Sequence, residues 1–332
     1  MKSVVVTAKQ ASRRLKPGGA NPFARLEERA RWVRTKVVEM AVRAHSGHIS
    51  TAFSQTELLV SLYHGGILRY DPKRPKWDGR DRFILSKGQG GIGLYPVLAD
   101  VGYFPLEELD RFAQEGSMLG VHTEWNIPGI EVVTGSLGHG LPIATGMAQA
   151  AVNDGKEHVV VCLLGDAELY EGSNWEAAIF AGHKGYRNLI CIIDRNGQGV
   201  LGHTDQICSQ SDGPRLNPLD KKFEAFGFET RVIDGHSFPQ IFEALADIRT
   251  RTVDKPLMIV AQTKKGHGAS LMEDQRLWHY RVPTGDDLQR VLKDLQDNLS
   301  CSGEDTRGTD AFQQPDKPAA GGGGYAKDYE YE

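Results

Sequence analysis

The sequence predicts an α/β fold, a mostly parallel sheet with helices on both faces, and three observations carry that expectation. Short apolar runs alternate along the chain with segments of helical spacing. The runs Val159–Leu164 and Leu189–Ile193 are apolar throughout, as strands buried on both faces are. Each ends abruptly, in Gly165-Asp166 and in Asp194-Arg195-Asn196. Strand, helix and strand in succession make a parallel βαβ unit, whose strand ends converge on one sheet edge.

Taken in order, a long amphipathic helix is expected over about Leu26 to His45, and another from Ser54 to about Tyr63. A strand at Arg82 to Leu85 leads to a helix over about Ile92 to Val101, and Phe104 to Gln114 has helical apolar spacing. A helix over 137–153 feeds the strand at 158–164. Ser173 ahead of Asn174-Trp175-Glu176 reads as a capping box that starts the connecting helix. Later strands fall at about Thr230 to Ile233 and Pro256 to Gln262, with a helix near Ser237 to Arg249 between them. Such alternation argues for a sheet covered on both sides.

With 332 residues the chain can bury a sizeable core. Three regions are expected: a basic, flexible arm over 1–24, one α/β domain over 25–290, and a short helix followed by a disordered Gly/acidic tail over 291–332. The arm carries Lys2, Lys9, Arg13, Arg14 and Lys16, and its Val4-Val5-Val6 run is too short for a secretory signal. A net charge of −4 gives no pull toward nucleic acid or membrane. The four cysteines, Cys162, Cys191, Cys208 and Cys301, lack paired or metal-type spacing, which fits a reducing cytoplasm.

Two patterns bear on ligands. Gly88-Gln89-Gly90-Gly91-Ile92-Gly93 satisfies G-x-G-x-x-G, but no β run precedes Glu107 and Glu108, so the dinucleotide context is missing. A close approach to some other phosphate stays open. The second pattern is the pair of strand ends. The Asp166 carboxylate and the Asn196 amide oxygen lie 30 positions apart in sequence, yet a βαβ unit brings them together. Hard oxygens with positions left for phosphate and water suit Mg²⁺. Turn and cap residues without a ligand are the competing account.

Gly-Asp, about thirty residues, then Asn is the fingerprint of thiamine diphosphate enzymes. The context Gly165-Asp166-x-Glu168-x-x-Glu171-Gly172 resembles transketolase. The likeness runs from about Leu26 to Pro283. Its pieces come in family order: Ser46-Gly47-His48, Asp81 to Gly88, His122, Thr134 to Gly140, the metal segment, Asp234-Gly235-His236, and Thr263 to Gly266 with Trp278-His279.

The resemblance implies thiamine diphosphate with Mg²⁺, Ca²⁺ or Mn²⁺ as the metal. Asp166 and Asn196 would bind the metal through side chains and Gln198 through its carbonyl, with Gly165 and Ala167 flanking. Asp194 would lie near the thiazolium. Gly135, Ser136 and Leu137 would form the turn along the cofactor, and Glu171 would sit at a subunit interface in a carboxylate relay. His48, His122 and His279 would carry proton or diphosphate contacts, with His267 and Lys265 as further phosphate contacts and His139 and His236 as supports.

Three departures stand out. Ala167 replaces a usual glycine, which is harmless if its backbone is right-handed. Gln89 stands where a histidine belongs; glutamine donates a hydrogen bond but cannot shuttle a proton, which points to an altered substrate or specialised pathway. The third is length, since the family's pyrimidine-binding domain is not found in this sequence. The resemblance therefore implies the N-terminal subunit of a two-subunit enzyme. Its pyrimidine-domain partner would have about 300 residues, the assembly would be α2β2, and the reaction would transfer a two-carbon ketol unit from a ketose phosphate to an aldehyde-type acceptor. Two alternatives are the α subunit of a 2-oxo acid decarboxylase or dehydrogenase, and a non-catalytic paralogue.

Overall fold

The computed structural model describes residues 21–207 and 216–297. The basic arm, Cys208, Cys301 and the Gly/acidic tail lie outside the described residues. Among those described, helices α1 (Ala24–Ala44), α2 (Ile49–Ser54) and α3 (Thr56–Tyr63) precede strand β1 (Arg82–Leu85) and helix α4 (Gly91–Asp100). Then come α5 (Gly140–Asn153), β2 (Val160–Gly165), α6 (Gly172–Lys184), β3 (Leu189–Arg195), α7 (Leu219–Ala225), β4 (Glu229–Asp234), α8 (Phe238–Leu245), β5 (Leu257–Gln262) and α9 (Gly285–Asp297).

The five strands form one sheet in the order β1-β2-β3-β5-β4, every pair parallel. Alternate side chains feed two cores. Phe83, Val161, Leu163, Ile190, Ile192 and Ile259 join α1–α4, α8 and α9 on one face. Ile84, Cys162, Leu164, Cys191, Ile193 and Met258 join α5, α6 and α7 on the other. This two-sided cover explains the unbroken apolar runs; each fully buried Leu or Ile contributes roughly 1.5–3 kcal/mol. No described helix is long and apolar enough to cross a membrane.

Several local expectations need correction. Ser173 does not cap α6. Its hydroxyl donates to the Gly138 carbonyl at 2.7 Å, and Glu171 occupies the N-cap position. The segment after Phe104 forms only a 3₁₀ turn over Leu106–Arg111. Helix α8 stops at Leu245 rather than near Arg249, and α9 already starts at Gly285. The glycines of the G-x-G-x-x-G run serve packing within the chain: a Cβ on Gly88 would stand 2.1 Å from the Thr134 carbonyl, and one on Gly93 would be 2.9 Å from Ala52. Ala167 opens a 3₁₀ turn without a positive φ, so it carries no left-handed strain.

Candidate active site at the carboxyl edge of the sheet

Register places Gly165 of β2 beside Asp194 of β3, so the loops leaving these strands start side by side. Asp166 is buried, and its Oδ2 accepts from Arg195 Nη1 at 2.7 Å, Gly197 N at 2.8 Å and Thr204 Oγ1 at 3.1 Å. Its Oδ1 accepts from Ala167 N at 2.9 Å, which leaves lone-pair capacity on that oxygen. Burial pushes this carboxyl above its usual range despite Arg195. Asn196 Oδ1 accepts from Gln198 N at 3.1 Å, and its Nδ2 donates to Asp194 Oδ2 at 3.2 Å. Asp166 and Asn196 are thus joined through the Asn196–Gly197–Gln198 turn.

Lys265 ties this turn to the histidines. Its Nζ lies 3.4 Å from the Gln198 carbonyl and 2.8 Å from His279 Nδ1. His48 packs near His279 and His122, with ring centroids 5.5 and 6.2 Å apart, and near Tyr280 at 4.6 Å. Gly135 belongs to the same wall: a Cβ there would meet the His122 ring at 3.2 Å. Gly88 packs against Thr134 and the Gly135 amide, which sets half-buried Gln89 on the turn beside that wall.

Burial, reinforced by His279, His122 and Lys265, drives His48 from an ordinary 6.5 to about 3. Burial and Lys265 bring His279 to about 4. Burial, with Lys87 nearby, lowers Lys265 to about 8. The His48 and His279 imidazoles are therefore neutral at pH 7, when most of the Lys265 amine is charged.

The remaining candidates spread outward. Glu171 and Ser136 are exposed, and Leu137 is half-buried. His139 is exposed at the start of α5. His236 and His267 form a separate group, with rings stacked 3.7 Å apart. His236 Nδ1 faces Glu57 Oε2 at 2.9 Å, and its Nε2 accepts from the Lys264 amide at 2.9 Å. Both Glu57 oxygens also take Arg34 at 2.7 Å. Although Glu57, His236 and His267 are close enough to suggest a metal group, these bonds already engage both His236 nitrogens and both carboxylate oxygens. Arg34 supplies the positive charge there. The group joins α1, α3 and the loop carrying Lys265.

Sequence reasoning missed the clamp on Asp194. This carboxylate is fully buried and meets Lys87, Ser54 at 2.6 Å and Thr263. Burial opposes its ionisation, but Lys87 and the hydrogen bonds outweigh that and hold it below the usual range. Glu168 was also missed as a structural group: it accepts from the Ser86 hydroxyl and from the amides of Gly138 at 2.9 Å and Gly165 at 3.2 Å. The available signal was a charged residue wedged in a buried stretch, Lys87 after the strand and Glu168 after Gly165.

A five-stranded parallel sheet with a carboxylate, an amide and three histidines gathered beyond its carboxyl edge defines an α/β protein with its ligand site at the strand ends. Residues 27–295 match the family model described as "Transketolase, thiamine diphosphate binding domain", and the chain belongs to that family. It is 39% identical over 278 residues to the first of two-part names in this group, an apulose-4-phosphate transketolase subunit from Actinobacillus succinogenes, covering 83% of this chain and 97% of the relative. It is 39% identical over 272 residues to 6-deoxy-6-sulfo-D-fructose transketolase subunit SqwG of a Clostridium species, covering 82% and 96%. The crystal structure of transketolase from Campylobacter jejuni superposes with a TM-score of 0.74 at 30% identity, over 82% of this chain. The chain spans 42% of that protein's length.

Proposed function

We propose that this chain is the diphosphate-binding subunit of a two-component transketolase, which moves a two-carbon ketol unit from a ketose phosphate to an aldehyde acceptor. The observation that carries the reading is the Asp166–Asn196–Gln198 turn joined through Lys265 to His279 and His48. The donor set fits a hard divalent cation carrying a diphosphate. Asp166 Oδ1 has spare lone pairs, and the Gln198 carbonyl already attracts an ammonium group. The buried His48 Nδ1 has no partner among the described residues.

In this reading Asp166 and Asn196 hold Mg²⁺ through side-chain oxygens, and Gln198 through its carbonyl. Lys265 neutralises diphosphate charge beside them. Thiamine diphosphate, when bound, supplies the carbanion chemistry that a protein side chain cannot. His48 and His279 offer neutral imidazoles, and His122 a third ring beside them, to accept or return protons on sugar hydroxyls. Gly135 leaves the space a Cβ would fill against His122. Gln89 adds a hydrogen-bonding amide with no proton-shuttle capacity, which suits a substrate different from that of a histidine-bearing enzyme.

The subunit partner would carry a pyrimidine-binding domain, and α2β2 is the proposed assembly. Large apolar side chains exposed on the site's own loops support a covering partner: Trp125 near His122, Leu201 near Gln198 and Leu277 near His279. Glu171 would lie at an interface between subunits. Residues 25–290 form the functional domain in this proposal, and cytoplasm is the proposed compartment. Calorimetry of the assembled complex with thiamine diphosphate and Mg²⁺ tests the site. Binding should vanish in Asp166→Ala; undiminished binding there would remove the metal assignment.

A further inference from the structure

The Gln198 side chain is enclosed without hydrogen bonds. The residue is 4% exposed, and both Nε2 and Oε1 are buried without a partner among the described residues. Its backbone is fully used: the amide donates to Asn196 Oδ1 at 3.1 Å and the carbonyl lies 3.4 Å from Lys265 Nζ. The residue also bridges to His203 across a tight turn closed by Gly199 N to Gly202 O at 2.8 Å. A carboxamide offers two donors and two acceptor lone pairs. Burying it unpaired costs stability that an apolar side chain of similar length would not.

The surroundings say what would satisfy it. Lys265 stands on one side, and Arg276 and His203 line an adjoining cavity of about 440 Å³ together with Gln198. This is an electropositive setting, which favours an anionic oxygen as the missing partner. We infer that the Gln198 carboxamide is a binding contact for the diphosphate group: Nε2 donates to a phosphate oxygen while the same residue's carbonyl faces the metal. Since both amide atoms are enclosed, contact requires the carboxamide to turn about its terminal torsions, and the last of these is soft in glutamine. The inference rests on the thiamine diphosphate reading and extends it to a side chain whose position in the metal turn otherwise demands only a backbone carbonyl.

The test uses the full chain titrated with Mg²⁺ and inorganic pyrophosphate, and the chain assembled with a pyrimidine-domain subunit titrated with thiamine diphosphate. Gln198→Met keeps the length and removes the amide; Gln198→Leu is the second apolar variant should the first fold poorly. Both should melt at a higher temperature than wild type without ligand, yet bind both ligands about tenfold more weakly, the loss expected for one hydrogen bond to a charged group. Variants that melt higher and bind pyrophosphate as tightly as wild type would overturn the inference. A loss with thiamine diphosphate alone would move the contact off the diphosphate and overturn it too. Failure of wild type to bind either ligand would instead bring down the cofactor reading, and the wild-type trace alone distinguishes that case.

Discussion

His48 and His279 owe their neutrality to crowding as well as to burial, since each also feels the cation of Lys265. The sign of the resulting pH effect follows from the unfolded chain, where both imidazoles keep a pKa near 6.5. Between about pH 4 and 6.5 the unfolded state binds protons that the folded state refuses, so these groups make stability rise with pH across that window. Melting curves of wild type minus those of a His48→Gln/His279→Gln variant should isolate this slope. A difference that does not change over the window would show that the imidazoles are not held neutral. At this scale the sequence revealed the identities of the clustered histidines, because each sits in a glycine-containing loop or beside Trp278. It did not reveal Arg195 on Asp166, since a strand-end arginine carries no mark of where its side chain folds.

Lys87 follows β1 and Asp194 lies near the end of β3, and their ion pair straps the two strands that flank β2. Both side chains are almost wholly buried, at 1% and 0% exposure, so neither charge has water to fall back on. Replacing Lys87 by Met leaves Asp194 charged and uncompensated, with hydroxyl donors from Ser54 and Thr263 but no cation. Urea unfolding of Lys87→Met should show a loss of about 3–5 kcal/mol. A loss below about 1 kcal/mol, the range of an exposed pair, would contradict the strap. The strands themselves were legible, because doubly covered strands are apolar at every position. The strap was not, since its residues lie 107 positions apart. Ser173 fails as a cap for the same reason: a long-range bond to Gly138 outcompetes the local one.

Across the whole molecule, the sheet order puts β2 and β3 near the centre, with β1 on one side and β5 and β4 on the other. The loops that bear Asp166 and Asn196 therefore emerge from the most rigid part of the fold, which suits groups that must hold a fixed geometry. Alternation and the abrupt Gly-Asp and Asp-Arg-Asn endings made both the fold class and this edge readable from sequence. Helix limits such as those of α8 depend on packing that no local pattern encodes. The exposed apolar residues on the same edge, Trp125 at 76% and Leu201 at 73%, mark where a second subunit would seat.

The central claim is tested by ketol transfer in a reconstitution with a pyrimidine-domain transketolase subunit, thiamine diphosphate and Mg²⁺. The chain alone and the partner alone should be inactive, while the mixture should transfer a two-carbon unit from a ketose phosphate to an aldehyde and lose that activity on metal removal. Full turnover by the chain alone, or activity of the mixture that survives removal of metal and cofactor, would contradict the account.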